Sequence, residues 1–114
     1  MQAMEAAKAL ACAIQESPEY REYAMRKEEV DADAGIKALV NEYKKLQTAM
    51  HMRVLAGQAM EGEDAQRFQS LNMLLFADSR TSGFLMAEMK MQRMMAEIFG
   101  VLTQASGLDL PMPG

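Results

Sequence analysis

Between Pro18 and Pro111 the chain contains no proline, and nowhere do four or more residues alternate apolar with polar in β-branched types. A backbone without that interruption, with apolar residues recurring at three- and four-residue spacings, satisfies its own N–H and C=O groups as helix. The expected fold class is all-α, a helical bundle or hairpin of about five helices, two of them long. Half of the 114 residues are hydrophobic, yet only 6% are aromatic and 13 are Met. That is the palette of packed helices, whose unbranched side chains lose little rotamer freedom. A chain of this size buries only about two-thirds of the surface its unfolded state exposes, so an oligomer is expected.

Local signals place the helix ends. Met4, Ala7, Ala11 and Ile14 recur at helical spacing, and Glu16-Ser17-Pro18-Glu19 supplies an N-cap serine, a proline at the first helical position and an acid in the first turn. One helix therefore ends near Glu16 and a short, exposed one begins at Pro18. Asp33 is the expected N-cap of a helix longer than 20 residues, striped by Ile36, Leu39, Val40, Tyr43, Leu46, Met50 and Val54. A turn at Glu61-Gly62-Glu63 closes it. The next helix is amphipathic at Phe68, Leu71 and Leu75 and then apolar almost all round, so its end is expected to be buried. Cap formers crowd Asp78 to Gly83, marking a break before the last long helix, which runs to about Ser106 with Gly107 as its C-terminal cap. The domain organisation expected is one all-helical domain over 1–110 and a tail over 111–114.

The last helix contains MAEMKMQRMMAEIF, with five methionines in ten positions. At about 100° per residue, Phe84, Ala87, Met91, Met94, Met95, Ile98 and Leu102 share one broad face, so three of the five are core. Met86 and Met89 point elsewhere, and Met89 joins Leu85, Ala96 and Phe99 in a second line. A helix apolar on two sides predicts a protein interface, here Leu85, Met86, Met89 and Phe99. Copper is the sharper alternative for a methionine cluster, but Met89 and Met91, like Met50 and Met52, diverge by more than a quarter turn and cannot chelate while helical.

No catalytic, cofactor or metal site is expected. His51, the sole histidine, reads as a solvated surface residue, and Cys12 as a small packing residue among alanines. The acids at Glu28, Glu29, Asp31 and Asp33, and at Glu61, Glu63 and Asp64, fall at helix ends, where caps and solvated acids belong. Glu88 and Arg53 each interrupt an apolar stripe, and a pairing between them is one expectation. A net charge of −4 argues against the basic footprint of direct nucleic-acid binding. No apolar run nears the roughly 20 residues of a membrane span. The opening MQAMEAAKAL lacks the n- and h-regions of a signal peptide, and the lone cysteine fits a reducing compartment. A cytoplasmic location without membrane insertion or a small-molecule substrate is expected.

The segments ALACAIQESPEYREY, GIKALVNEYKKLQ and FLMAEMKMQRMMAEIFGVL, in that order, resemble the YlbF/YmcA family of small helical proteins of Gram-positive bacteria. The likeness extends from about Ala6 to Leu110. It implies an all-helical, non-catalytic regulatory adaptor that self-associates or pairs with related helical chains. By the same resemblance the chain is tied to competence, biofilm formation and sporulation, and to a complex with a membrane-anchored endoribonuclease in messenger RNA processing. Some family complexes carry iron–sulfur clusters, which need several thiolates. This chain offers only Cys12, so no cluster is expected unless other subunits supply ligands. The alternative reading is a homo-oligomeric structural or chaperone-like protein with a methionine-rich client surface.

Overall fold

The computed structural model describes residues 1–107, and every regular element in them is helical. The helices are α1 (Ala3–Gln15), α2 (Pro18–Asp31), α3 (Ala34–Leu55), α4 (Glu63–Ala77) and α5 (Ser79–Ser106). The all-α expectation holds and each expected break falls between helices, but α3 closes at Leu55, six residues before the expected turn, with Gly57 in a positive-φ conformation just beyond it. The expected 111–114 tail, with Pro111 and Pro113, lies outside the described residues.

The caps explain the boundaries. The Ser17 hydroxyl accepts from the Tyr20 N–H at 3.2 Å and donates to the Ile14 carbonyl at 2.6 Å, so one side chain both ends α1 and starts α2. Asp33 accepts from the Ile36 N–H at 3.1 Å, capping α3. Gly62 precedes α4 at φ +71°, a left-handed conformation that a side chain would strain. Asp78, in extended backbone, separates α4 from α5 and accepts from the Arg80 N–H at 2.8 Å. α2 spans 14 residues, within one residue of the expected PEYREYAMRKEEV, but is not wholly exposed: Val30 is buried and Tyr20 and Tyr23 are half-buried.

The chain divides into two compact units, one of Met25–Leu85 and one of Met1–Ala24 with the segment from Met86 onward. The first holds a true core. Here α3 and α4 form an antiparallel hairpin, in which Tyr43 stacks on Phe68 with ring centroids 5.1 Å apart and donates to Asn72 Oδ1 at 3.1 Å. Arg67 grips Glu42 through two hydrogen bonds of 2.7 and 2.8 Å. Val30, Val40, Tyr43, Leu71, Leu75, Phe84 and Leu85 are buried there. Thr81 is also buried, and its hydroxyl bonds to the carbonyls of Leu75 and Asp78 across the helix break. Lys44 sits over the Phe84 ring, 4.9 Å from its centroid.

The end of α4 departs from expectation. Leu71 and Leu75 are buried, but Met73, Leu74 and Phe76 are 74%, 55% and 44% exposed. A helix packed on one side covers only one stripe, and the residues at 71 and 75 fill it; the other apolar side chains of this turn face outward.

The unit built from α1, the start of α2 and the later part of α5 has almost no core of its own. Among its described residues only Ala87 is buried. Lys90 pairs with Glu22 at 3.8 Å, while α1 contributes no buried residue and leaves Met4 68% exposed.

Candidate functional site

From Met86 the helix α5 presents an open face. Met86 and Met89, three residues apart and 56% and 57% exposed, lie on it with the exposed residues Lys90, Arg93, Ala96 and Glu97. Apolar thioethers at such exposure gain stability only when covered, and their flexibility suits a surface that must fit a partner. Beside them runs a groove of about 460 Å³ lined by Glu19, Lys90, Arg93, Met94 and Glu97. It carries two carboxylates, two cations and one apolar side chain, a pattern suited to another amphipathic helix rather than to a small apolar ligand.

The four residues expected on one interface separate. Met86 and Met89 are exposed, whereas Leu85 is 5% exposed and belongs to the core of the α3–α4 unit. Phe99 is half-buried, and at about 100° per residue it lies on the inward side with Met91 and Met95, which are also half-buried. The continuous line through Leu85, Met89, Ala96 and Phe99 is therefore split between two faces. The core assignment for Met91, Met94 and Met95 is met only by half, and Leu102 is 49% exposed.

Other residues singled out by the sequence lie apart. His51 is exposed on α3. Cys12 is exposed as well, not a packing residue, because it stands opposite the apolar face formed by Ala7, Leu10 and Ile14. Arg53 has Asp64 as a carboxylate partner, at 3.6 Å. The described residues contain no group of three or more His, Cys, Asp or Glu placed to hold a metal ion. The resolved shifts in acidity belong to ion pairs of the Met25–Leu85 unit. Hydrogen bonds from Arg67 hold the Glu42 carboxyl below its ordinary range, and those from Arg80 do the same for Asp78. Burial raises the Tyr43 phenol.

A second apolar surface was missed by sequence reasoning: Met73, Leu74 and Phe76 on α4. Its signal is the all-round apolar run NMLLFA, which by itself predicts burial.

Five helices with an open methionine face on the last of them define this chain as a small all-helical protein. The family described as control of competence regulator ComK, YlbF/YmcA, matches residues 3–105, and the chain belongs to that family. It is 28% identical over 105 residues to a UPF0342 protein of Caldicellulosiruptor saccharolyticus, covering 92% of this chain and 88% of that one. A UPF0342 protein of Symbiobacterium thermophilum is 25% identical over 105 residues, covering 92% and 94%. A solved structure, a protein of unknown function (DUF964) from Bacillus stearothermophilus, shares the fold with a TM-score of 0.73 at 17% identity, covering 91% of each chain. No helix of the described residues is long and apolar enough to cross a membrane.

Proposed function

We propose that this chain is a non-catalytic, cytoplasmic regulatory adaptor that works by helix-to-helix docking through the open face of α5. The observation that carries the reading is the pair Met86 and Met89, both more than half exposed on one helix face in a member of a regulatory family. Apolar anchors one turn apart are how an amphipathic helix engages a groove or a second helix. The family supports a role in competence control. Roles in biofilm formation and sporulation, and partnership with related helical chains in an endoribonuclease complex, extend the same reading.

The test is affinity capture of the tagged protein from its native host beside a Met86→Glu/Met89→Glu variant, with co-purifying chains identified by mass spectrometry and helicity checked by circular dichroism. Stoichiometric YlbF/YmcA-like chains or an endoribonuclease, captured by the wild type and lost from the folded variant, is the expected result. Equal capture by both proteins overturns this surface.

The exposed Met73, Leu74 and Phe76 on α4 favour a second reading, in which a methionine-rich surface holds unfolded clients loosely. Suppression of aggregation of an unrelated unfolded protein by the purified chain is its signature.

A further inference from the structure

Among the described residues Met1, Met4, Met25, Met52, Met73, Met86 and Met89 are each more than half exposed. A thioether in water is open to two-electron oxidation, and access decides which sulfur an oxidant meets. By exposure alone Met73, at 74%, stands above Met86 and Met89, at 56% and 57%. What surrounds each sulfur reverses that order.

Side chains on a helix lean toward its N-terminus, so a residue four positions on lies over the one before it. Lys90 therefore leans over Met86, and Arg93 over Met89, which makes two thioether–cation pairs in succession on α5. Both cations are exposed, and both line the groove beside the methionines. Lys90 also reaches Glu22 at 3.8 Å, a long contact between well-solvated side chains that offsets its charge only in part. The same step leads from Met73 to Ala77, from Met52 to Ala56 and from Met25 to Glu29. Met4, with Lys8, repeats the relation singly on α1.

A neighbouring cation matters to the chemistry. The sulfur lone pair attacks one oxygen of hydrogen peroxide, the O–O bond breaks and hydroxide departs. The hydroxysulfonium then gives up its proton, which joins the hydroxide as water. Sulfur loses two electrons and the peroxide gains them, so one thioether and one peroxide yield one sulfoxide and one water. An ammonium or guanidinium beside the departing hydroxide lowers the barrier, as fixed positive charge does wherever negative charge develops. The sulfoxide oxygen is a hydrogen-bond acceptor, and Lys90 and Arg93 are donors one turn away.

We propose that Met86 and Met89, each beneath its own cation, form a paired oxidation site for hydroperoxides, and that the double sulfoxide turns this face of α5 from apolar to polar and closes it to docking. The second half rests on the reading of that face as the docking surface. Sulfoxide reductases restore the thioether, so the change is reversible.

The oxidation site is tested by treating the full chain with dilute hydrogen peroxide and following each methionine by peptide mass spectrometry. Met86 and Met89 are expected to oxidise about threefold faster than Met73, the preference that one unit charge a few ångströms away in water supplies. Lys90→Gln is expected to slow Met86 more than Met89, and Arg93→Gln to slow Met89 more than Met86, with the helix kept in both. Rates that follow exposure, with Met73 ahead, overturn the site, as do rates indifferent to both substitutions.

The consequence for docking is read by capture, with circular dichroism confirming that the oxidised chain is helical. The peroxide-treated protein is expected to lose the regulatory chain that the untreated protein binds, and to regain it after treatment with methionine sulfoxide reductase. Met86→Leu/Met89→Leu is expected to keep that chain through the same peroxide treatment. Equal capture by the doubly oxidised and untreated proteins overturns the switch; if Met86→Glu/Met89→Glu nonetheless abolishes capture, docking through α5 stands. If the glutamate variant captures normally, the docking reading fails and the switch with it, whereas the oxidation rates still decide the site.

Discussion

Arg26 lies across the backbone of Gly83 so closely that a Cβ built on the glycine would stand 3.0 Å from the guanidinium carbon. The contact joins α2 to the first turns of α5 within the Met25–Leu85 unit, and a side chain at residue 83 would require the flexible end of Arg26 to give by a few tenths of an ångström. The Arg26 Nε is buried there without a hydrogen-bond partner, and the Nη1 of the same group lies 3.8 Å from the Glu29 carboxylate. The guanidinium is thus held by packing more than by polar bonds.

Gly83→Ala should therefore show a background-dependent effect. In an exposed helix interior the change gains roughly 1 kcal/mol of helix propensity, but here the new methyl must displace Arg26. We expect the substitution to shift wild-type stability by less than about 0.5 kcal/mol, and to stabilise an Arg26→Ala background by about 1 kcal/mol. Urea denaturation of the four-protein cycle measures the difference. Equal effects in both backgrounds would show that the contact carries no energy.

Tyr43 tests how the hairpin core divides its energy between ring and hydroxyl. The ring is 6% exposed and stacked on Phe68, whereas the Asn72 amide that accepts its proton belongs to an exposed residue. Water can replace the lost donor at Asn72, so Tyr43→Phe should cost at most about 1 kcal/mol. Tyr43→Ala, which opens a cavity, should cost about 3 to 5 kcal/mol. Denaturant titration separates the two. A larger loss for Tyr43→Phe than for Tyr43→Ala would reverse this assignment.

The Arg67–Glu42 pair predicts an acid limb in the stability profile. Because the folded Glu42 carboxyl is held below its ordinary range, its contribution is complete above the unfolded value of about 4.3. It is lost as pH falls through the lower folded value. Both side chains are well exposed, so the effect is modest and weakens with salt. Arg67→Gln should lower the melting temperature at neutral pH and converge on the wild type only once the pH has fallen below the depressed folded value of Glu42. A gap between the two that stays constant down to pH 2 would contradict the pairing. Asp78 with Arg80 should behave in the same sense.

What was legible in the sequence and what was not follows from the range of each interaction. Ser17, Asp33, Gly62 and Gly107 mark their helix ends through bonds or backbone angles set within a few residues, so their identity and spacing were enough. Gly107, for example, adopts φ +73° after Ser106, as a C-terminal cap requires. Leu85 and Met86 are adjacent and equally apolar, yet one is 5% and the other 56% exposed. That difference depends on which neighbour the helix meets, and no local pattern encodes it. Arg53 was legible as a charge needing a partner, but its choice of Asp64 depends on how the turn after α3 returns the chain. On the candidate surface, Met86 and Met89 were readable from helical period alone, while Phe99 required knowing which side of α5 faces inward.

The α4 surface offers the sharpest separation of burial from hydrophobicity. Leu71 and Met73 are two residues apart on one helix, and they are 0% and 74% exposed. Leu71→Ala removes a fully enclosed side chain and should cost about 2 to 5 kcal/mol. Met73→Lys removes almost no buried contact, whereas Phe76→Lys, at a residue 44% exposed, removes part of one. Met73→Lys should alter stability by no more than about 0.5 kcal/mol, since a solvated lysine replaces a side chain largely in water, and Phe76→Lys should cost about 1 kcal/mol. The double variant should bind less of a dye that reports exposed apolar surface and should lose any suppression of client aggregation. It should leave capture through Met86 and Met89 intact, because those residues lie on another helix. If the double lysine variant unfolded the hairpin, Met73 and Phe76 would have to be packing residues. If it stayed folded but no longer captured a regulatory chain, the docking surface would include α4.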